Sequence, residues 1–282
     1  MNRILVPTDF SPHAARALDY ALAIARKTDS RICLLHIGET AEGVLMDNVI
    51  PAELLQKGLD APASEQLAML KKSIEETETV PLETSIAHGP IVESILITAK
   101  EWKASLIIVG TLGITGLRET IFGSKTAALI GQSPIPVLAI PLEYEGGAPA
   151  KIALAIHDAS EAGDQLQPLY ELTTAFHAPL TLTSFTDTSY IAPTEFSDEI
   201  QELNKAVAMI TQKLRYTPVE AKQLVGKQFI ENINQFIEEN GYNLIAMTTH
   251  ERSFLGSILK PSLTKKMSYK TKVPLLALPK RS

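Results

Sequence analysis

The sequence predicts an α/β protein made of two tandem open parallel five-stranded sheets, each in the order 3-2-1-4-5 and flanked by helices. Three observations carry this expectation. Short runs rich in Ile, Leu and Val alternate with helical patterns along the whole chain. The alternation occurs twice, because the sequence resembles itself at two constant offsets. Between the two copies the stretch Gly146-Gly147-Ala148-Pro149 reads as a linker.

The repeat is visible residue by residue. A shift of 148 places Arg3-Ile4-Leu5-Val6 on Lys151-Ile152-Ala153-Leu154, and Ile32-Cys33-Leu34-Leu35 on Leu180-Thr181-Leu182-Thr183. A shift of 138 places Ser105-Leu106-Ile107-Ile108 on Asn243-Leu244-Ile245-Ala246, and Ile135–Pro141 on Val273–Pro279. The difference of ten residues falls between the second strand and the third helix of each copy. The expected domains are therefore 1–145 and 150–282.

In the first copy, strands are expected at 3–8, 32–37, 82–87, 105–110 and 136–140. Ser11 can cap a helix with Pro12 at its first position, and Ala15, Leu18, Leu22 and Ala25 share one face. Gly38 to Pro62 reads as a long loop with a short helix after Pro51, placed to act as a lid. Further helices are expected from Ser64 to Glu78, from Pro90 to Trp102, and from near Ser124. The second copy repeats the pattern, with helices near 160–176, 195–214, 228–240 and 262–270.

Composition excludes several classes. The chain has 282 residues, 45% of them hydrophobic and 21% charged, enough apolar mass for two cores. A formal charge of -6 argues against a nucleic-acid binder, which would need clustered Lys and Arg. The chain shows neither a long apolar run, as a membrane span needs, nor a signal-peptide pattern at MNRILVPTDF. The single cysteine, Cys33, lies in an apolar strand and fits a reducing, cytoplasmic setting.

In an open sheet of this order, ligands bind beyond the carboxyl ends of the strands at the switch point between the first and fourth. After the first strand comes Pro7-Thr8-Asp9-Phe10-Ser11; after the fourth comes the glycine-rich run Gly110 to Ser124. Gly110 and Gly113 would let backbone approach a phosphate, and Gly123-Ser124 open the last helix, whose free N–H groups suit an anion. Asp9 can accept from a ribose hydroxyl or reach a phosphate-bound Mg²⁺ through water. Gly123-Ser124-Lys125-Thr126 is not a Walker A motif, which needs adjacent Gly-Lys-Ser/Thr, and no G-x-G-x-x-G follows the first strand.

Gly110-x2-Gly113-x9-Gly123-Ser124 resembles the ATP-binding signature of the universal stress protein family. The similarity extends to Ile4–Ser11, to Gly89-Pro90 and to Pro136–Pro141, and it spans essentially the whole chain as a tandem. The resemblance implies an adenine nucleotide alpha hydrolase-like fold. It also implies bound ATP, or ADP or AMP, with or without Mg²⁺, held by Asp9, Gly110, Gly113, Gly123 and Ser124. Thr8, Ile37, Val109 and Lys125 are further candidates for lining the pocket. Family members commonly pair through their last strands, so Ile135–Pro141 and Val273–Pro279 are expected to pair within one chain as a pseudo-dimer. Whether two chains pair further is left open.

The second copy departs from the signature. Gly110 becomes Thr248, Gly113 becomes Glu251 and Gly123 becomes Pro261, leaving only Ser124, as Ser262. A carboxylate against a phosphate and a proline without an N–H both oppose nucleotide binding there. His157, Asp158, His250 and Glu251 follow the first and fourth strands of this copy, but no metal-ligand spacing supports a metal site. His13, His36, His88 and His177 read as isolated residues that cap, pack or face water. The expected function is an ATP-binding stress-response sensor or regulator with one nucleotide site. The rival is a scaffold or chaperone-like protein whose loop is only structural. An adenylate-forming enzyme is disfavoured, since its S-G-G-x-D-S-like loop is replaced by Thr8-Asp9-Phe10-Ser11, and turnover beyond slow ATP hydrolysis is not expected.

Overall fold

A computed structural model of the chain describes residues 1–40, 52–111, 124–156, 162–188, 196–214, 218–249 and 271–279. The first half contains β1 (Arg3–Thr8), β2 (Arg31–Gly38), β3 (Leu82–His88), β4 (Leu106–Gly110) and β5 (Val137–Ile140). The middle of β1 and all of β4 and β5 are apolar on both faces because helices cover both, whereas the edge strand β3 exposes Glu83 and Thr84. Ile4 and Val6 join one helix-covered core and Leu5 the other. Between the strands lie α1 (Pro12–Thr28), α2 (Ala52–Glu75), α3 (Ile91–Glu101) and α4 (Ser124–Gln132). Helix α1 starts where expected: the Ser11 hydroxyl accepts from the Ala14 N–H, and Pro12 fills the first turn. It ends at Asp29, whose left-handed backbone lets its N–H reach the Ala25 carbonyl.

Helix α2 differs from expectation. It begins at Ala52 and runs through Pro62 to Glu75, so 52–62 is helix rather than loop. Residues 41–51, the rest of the expected lid, lie outside the described residues. Proline inside a helix removes one hydrogen bond, here the one the Gly58 carbonyl would accept. Both Gly58 and Pro62 are exposed, so water can serve that carbonyl. Leu67 and Ile74 bury the helix further on.

The second half repeats the order with β6 (Ile152–Ala155), β7 (Leu180–Asp187), β8 (Val219–Gly226), β9 (Leu244–Thr249) and β10 (Leu275–Pro279). Its described helices are α5 (Gln167–Phe176), α6 (Phe196–Lys213) and α7 (Phe229–Asn240). Helix α5 is shorter than expected at its start, being preceded only by a 3-10 turn at Asp164–Leu166. It ends on His177 in a left-handed cap. The helix expected near 262–270 lies outside the described residues. The length difference between the copies sits in the crossover from second to third strand, where α2 has 24 residues and α6 has 18.

Polar details also repeat. Ser105 Oγ lies 3.2 and 3.3 Å from the N–H groups of Asn2 and Arg3, just ahead of β1 and at its first residue. Asn243, its counterpart, accepts from Ala150 and Lys151 at 2.8 and 2.9 Å and donates to the Ala148 carbonyl, fixing the linker. Arg3 donates to the Trp102 carbonyl at the end of α3; Lys151 donates to the Asn240 carbonyl at the end of α7. In each copy a cation thus meets the carbonyl-rich end of the same helix. It also lies over an aromatic ring, Trp102 at 5.6 Å or Tyr242 at 4.4 Å.

The two five-stranded sheets meet. β5 and β10 pair antiparallel, with Val137, Leu138 and Ala139 opposite Ala277, Leu276 and Leu275. The result is one ten-stranded sheet in the order β3-β2-β1-β4-β5-β10-β9-β6-β7-β8. Helices α1, α2, α5 and α6 pack on one face, and α3, α4 and α7 on the other. The expected last-strand pairing is therefore present within the chain.

The first of these layers buries two phenol groups, Tyr20 and Tyr170, whose hydroxyls have no hydrogen-bond partner among the described residues. Burial, with Asp164 adding to it, pushes the Tyr170 phenol up to about 12, and burial with Tyr144 pushes Tyr20 well above its usual value. An unfolded tyrosine releases its proton near pH ~10. Folding then holds a proton that the unfolded chain has lost, so stability is full below about pH 10 and falls as pH approaches about 12. Tyr170→Phe removes an unpaired polar atom. It is expected to leave the melting temperature at pH 7 unchanged or higher, and to flatten its fall between pH 9 and 11. Thermal melts across that range, in which the variant fell as steeply as the parent, would contradict this assignment.

Candidate functional site

Sequence order along the sheet reverses between β1 and β4, and the carboxyl ends of those strands define the switch point of the first half. Beyond β1 the chain turns into α1 through bonds made by its own side chains. Thr8 Oγ1 accepts from the Phe10 N–H at 3.0 Å, and Asp9 Oδ1 accepts from the Ser11 N–H at 3.0 Å. These bonds serve backbone donors that the sheet no longer satisfies. They also hold Phe10 at φ 60, a left-handed conformation rare for a bulky residue. The Phe10 ring contacts His36 at 4.9 Å, and His36 Nδ1 donates to the Thr8 carbonyl at 2.9 Å.

Gly110 closes β4. A Cβ added there would lie 2.6 Å from the His13 carbonyl oxygen and 2.9 Å from the His13 Cβ. The first turn of α1 therefore rests directly on Gly110. From the other side, Thr126 Oγ1 donates to the Gly110 carbonyl at 3.1 Å, fastening the first turn of α4 to the same residue. The first turns of two helices, each carrying the partial positive charge of a helix start, thus converge on one glycine. Asp9 is exposed beside them, with one carboxylate oxygen on Ser11, and Lys125 is exposed in the first turn of α4.

On the α3 side of the sheet, Ile37, Ala87, Val109 and Ile91 are half-buried and packed against the core, forming an apolar floor at the strand ends. Gly89, at φ +110, makes the turn that aims α3 at this floor, and Ser94 Oγ donates to the His88 carbonyl across it. At the rim Asp60 of α2 lies 2.8 Å from His88 Nε2, and Gln56 Nε2 bonds both Asp60 and the Glu39 carbonyl. These bonds tie α2 to the ends of β2 and β3.

Thr8, Asp9, Ile37, Val109, Gly110, Ser124 and Lys125 thus all belong to the strand ends and helix start around the switch point. Gly113 and Gly123 lie outside the described residues. Sequence patterns do not single out Ala87, Ile91 and Thr126, and they leave His13, His36 and His88 isolated although all three stand at this edge. Ala87 and Ile91 flank Gly89-Pro90, so they are within reach of a sequence argument; the histidines carry no spacing that would reveal them.

The second half is built differently at the equivalent place. Thr248, buried in β9, occupies the position of Gly110, and among the described residues the first α-helix after β6 begins at Gln167. Ser184 stands where His36 does, and its buried hydroxyl has no partner among the described residues. His157, Asp158, His250, Glu251, Pro261 and Ser262 lie outside the described residues. Among the described residues there is no group of three or more His, Cys, Asp or Glu placed to hold a metal ion, and no helix is long and apolar enough to cross a membrane.

A doubled open α/β sheet, with a glycine-ended fourth strand facing the turn after the first, defines a class of tandem proteins with a ligand crevice at the switch point. The chain belongs to the universal stress protein family, whose model matches residues 1–141 and again 150–279. It is 32% identical over 145 residues to the universal stress protein YxiE of Bacillus subtilis (strain 168), covering 49% of this chain and 98% of that one. A universal stress protein of Methanocaldococcus jannaschii, MJ0531, is 30% identical over 139 residues, covering 49% of this chain and 81% of its own. Among solved structures, a universal stress protein from Archaeoglobus fulgidus DSM 4304 has the same fold end to end. It has a TM-score of 0.72 at 18% identity and covers 99% of this chain and 98% of that one.

Proposed function

We propose that the first half binds an adenine nucleotide and that the chain acts as a stress-response sensor or regulator through that one site. The observation that carries this reading is the convergence of the first turns of α1 and α4 on Gly110, between exposed Asp9 and the apolar floor. A nucleotide needs a flat apolar surface for its base, an acceptor for its ribose and positive, donor-rich backbone for its phosphates. Ile37 and Val109 supply the surface. Thr8 stabilises the turn that presents Asp9, whose second carboxylate oxygen serves the ribose. Gly110, Gly113, Gly123, Ser124 and Lys125 serve the phosphates. An exposed carboxylate beside a phosphate site also suits Mg²⁺ held through water, with the ion neutralising phosphate charge.

The second half, from residue 150 onward, serves as a structural partner for the first, 1–145. Thr248 replaces the strand-end glycine, so no glycine stands at the end of β9 to receive the starts of two helices. Cys33, buried and with its thiol pushed up to about 11 by burial first and Glu83 second, is chemically quiet, in keeping with a cytoplasmic protein.

A ligand that binds only the folded state at a hundred times its Kd stabilises by about 2.7 kcal/mol. Saturating ATP with Mg²⁺ is therefore expected to raise the melting temperature by a few degrees, and denaturing the purified protein should release an adenine nucleotide. No thermal shift with ATP, ADP or AMP would favour the scaffold reading instead.

A further inference from the structure

We propose that His13 is a phosphate-contacting residue of the nucleotide site, donating a hydrogen bond from Nε2. The proposal rests on the nucleotide-binding reading of that site and adds a side chain to it. His13 lies in the first turn of α1, with its Cβ and carbonyl so close to β4 that only glycine fits at position 110. Its imidazole is therefore rooted where the two helix N-termini meet. The ring's Nδ1 is sealed from solvent and has no hydrogen-bond partner among the described residues. Nε2 is not sealed in this way.

That asymmetry selects a tautomer. A neutral imidazole carries one N–H donor and one bare acceptor. Burying an unpaired N–H is rarer in proteins than burying an unpaired acceptor. The proton of the neutral ring therefore belongs on Nε2, leaving the bare lone pair on sealed Nδ1. Charging the ring would force an unpaired N–H into the sealed position, and burial indeed lowers the proton affinity of His13, against an upward pull from Asp9. Among the described residues, the groups facing this ring are the Asp9 carboxylate on the turn before α1 and the uncharged end of β4; Lys125, on the first turn of α4, is exposed. A neutral donor beside Gly110 meets an anionic phosphate without depending on ambient pH.

The test uses the full chain and two ligands, ATP and adenosine, titrated calorimetrically at pH 7.5 with Mg²⁺. His13→Phe keeps an aromatic ring but removes the donor; His13→Gln keeps an N–H near the position of Nε2. A hydrogen bond to a charged group is worth enough that His13→Phe should weaken ATP binding roughly ten-fold or more. His13→Gln should stay within about three-fold of the parent, and adenosine affinity should be the same in all three proteins. ATP affinity unchanged in His13→Phe would overturn the role of His13 while leaving the nucleotide site standing. Equal loss of ATP and adenosine binding would also overturn it, because the residue would then only support the fold. A parent chain that binds neither ligand would overturn the nucleotide reading itself, and this proposal with it.

Discussion

Leu276→Ala is expected to destabilise the chain by about 2–5 kcal/mol and to do so in both halves at once. Leu276 is fully buried in β10 and faces Leu138 of β5 across the antiparallel junction. Both side chains belong to the core beneath the layer of α1, α2, α5 and α6, which runs through both halves. Truncation leaves a cavity at the centre of the ten-stranded sheet, where backbone on each side is locked in a ladder and cannot collapse to fill it. The substitution lies in the second half, whereas Trp102, the only tryptophan, lies in the first. Trp102 fluorescence and far-UV circular dichroism should therefore report one urea transition, moved to the same lower midpoint by Leu276→Ala. A Trp102 midpoint that stays in place while the dichroism splits in two would show that the halves fold independently.

The last-strand pairing that makes this junction is legible in the sequence, because Ile135–Pro141 and Val273–Pro279 repeat with proline near both ends and mainly apolar residues between. Strand positions are legible for the same reason: a strand covered on both faces must be apolar at every position, as Ile4, Leu5 and Val6 are. Helix α2 is less legible. Pro62 reads as the end of a loop because a proline in a helix interior usually costs about 3 kcal/mol. What outweighs that cost is tertiary: Leu67 and Ile74 in the core, and Gln56 and Asp60 bonded to the ends of β2 and β3. None of those partners is near in sequence. Ser105 and Asn243 illustrate the same limit, since different side chains do the same work of holding a strand start. Their equivalence shows only when the strands they serve are in place.

Gly110 is where sequence and structure give different physical reasons for one residue. As part of a glycine-rich loop, it keeps a side chain out of a phosphate's way. In the fold it first keeps a side chain out of the way of α1, whose His13 carbonyl would sit 2.6 Å from any Cβ. Gly110→Ala is therefore expected to cost about 1–3 kcal/mol even with no nucleotide present, because backbone rather than a flexible side chain must move. The movement would shift the first turn of α1 and strain the Thr126 bond that holds α4. Gly58→Ala provides the opposite case. Gly58 sits inside α2, and a Cβ added there would meet nothing within 4 Å, so alanine should stabilise by about 0.5–1 kcal/mol. Chemical denaturation of both variants in nucleotide-free buffer separates the two reasons. A Gly110→Ala chain as stable as the parent, yet impaired in ATP binding, would return the glycine to the ligand alone. A chain that loses stability before any ligand is added shows that the packing of α1 on β4 demands glycine first. The proposed site then uses a corner that the fold had to build for its own closure, and Thr248 marks the half where no glycine takes that place.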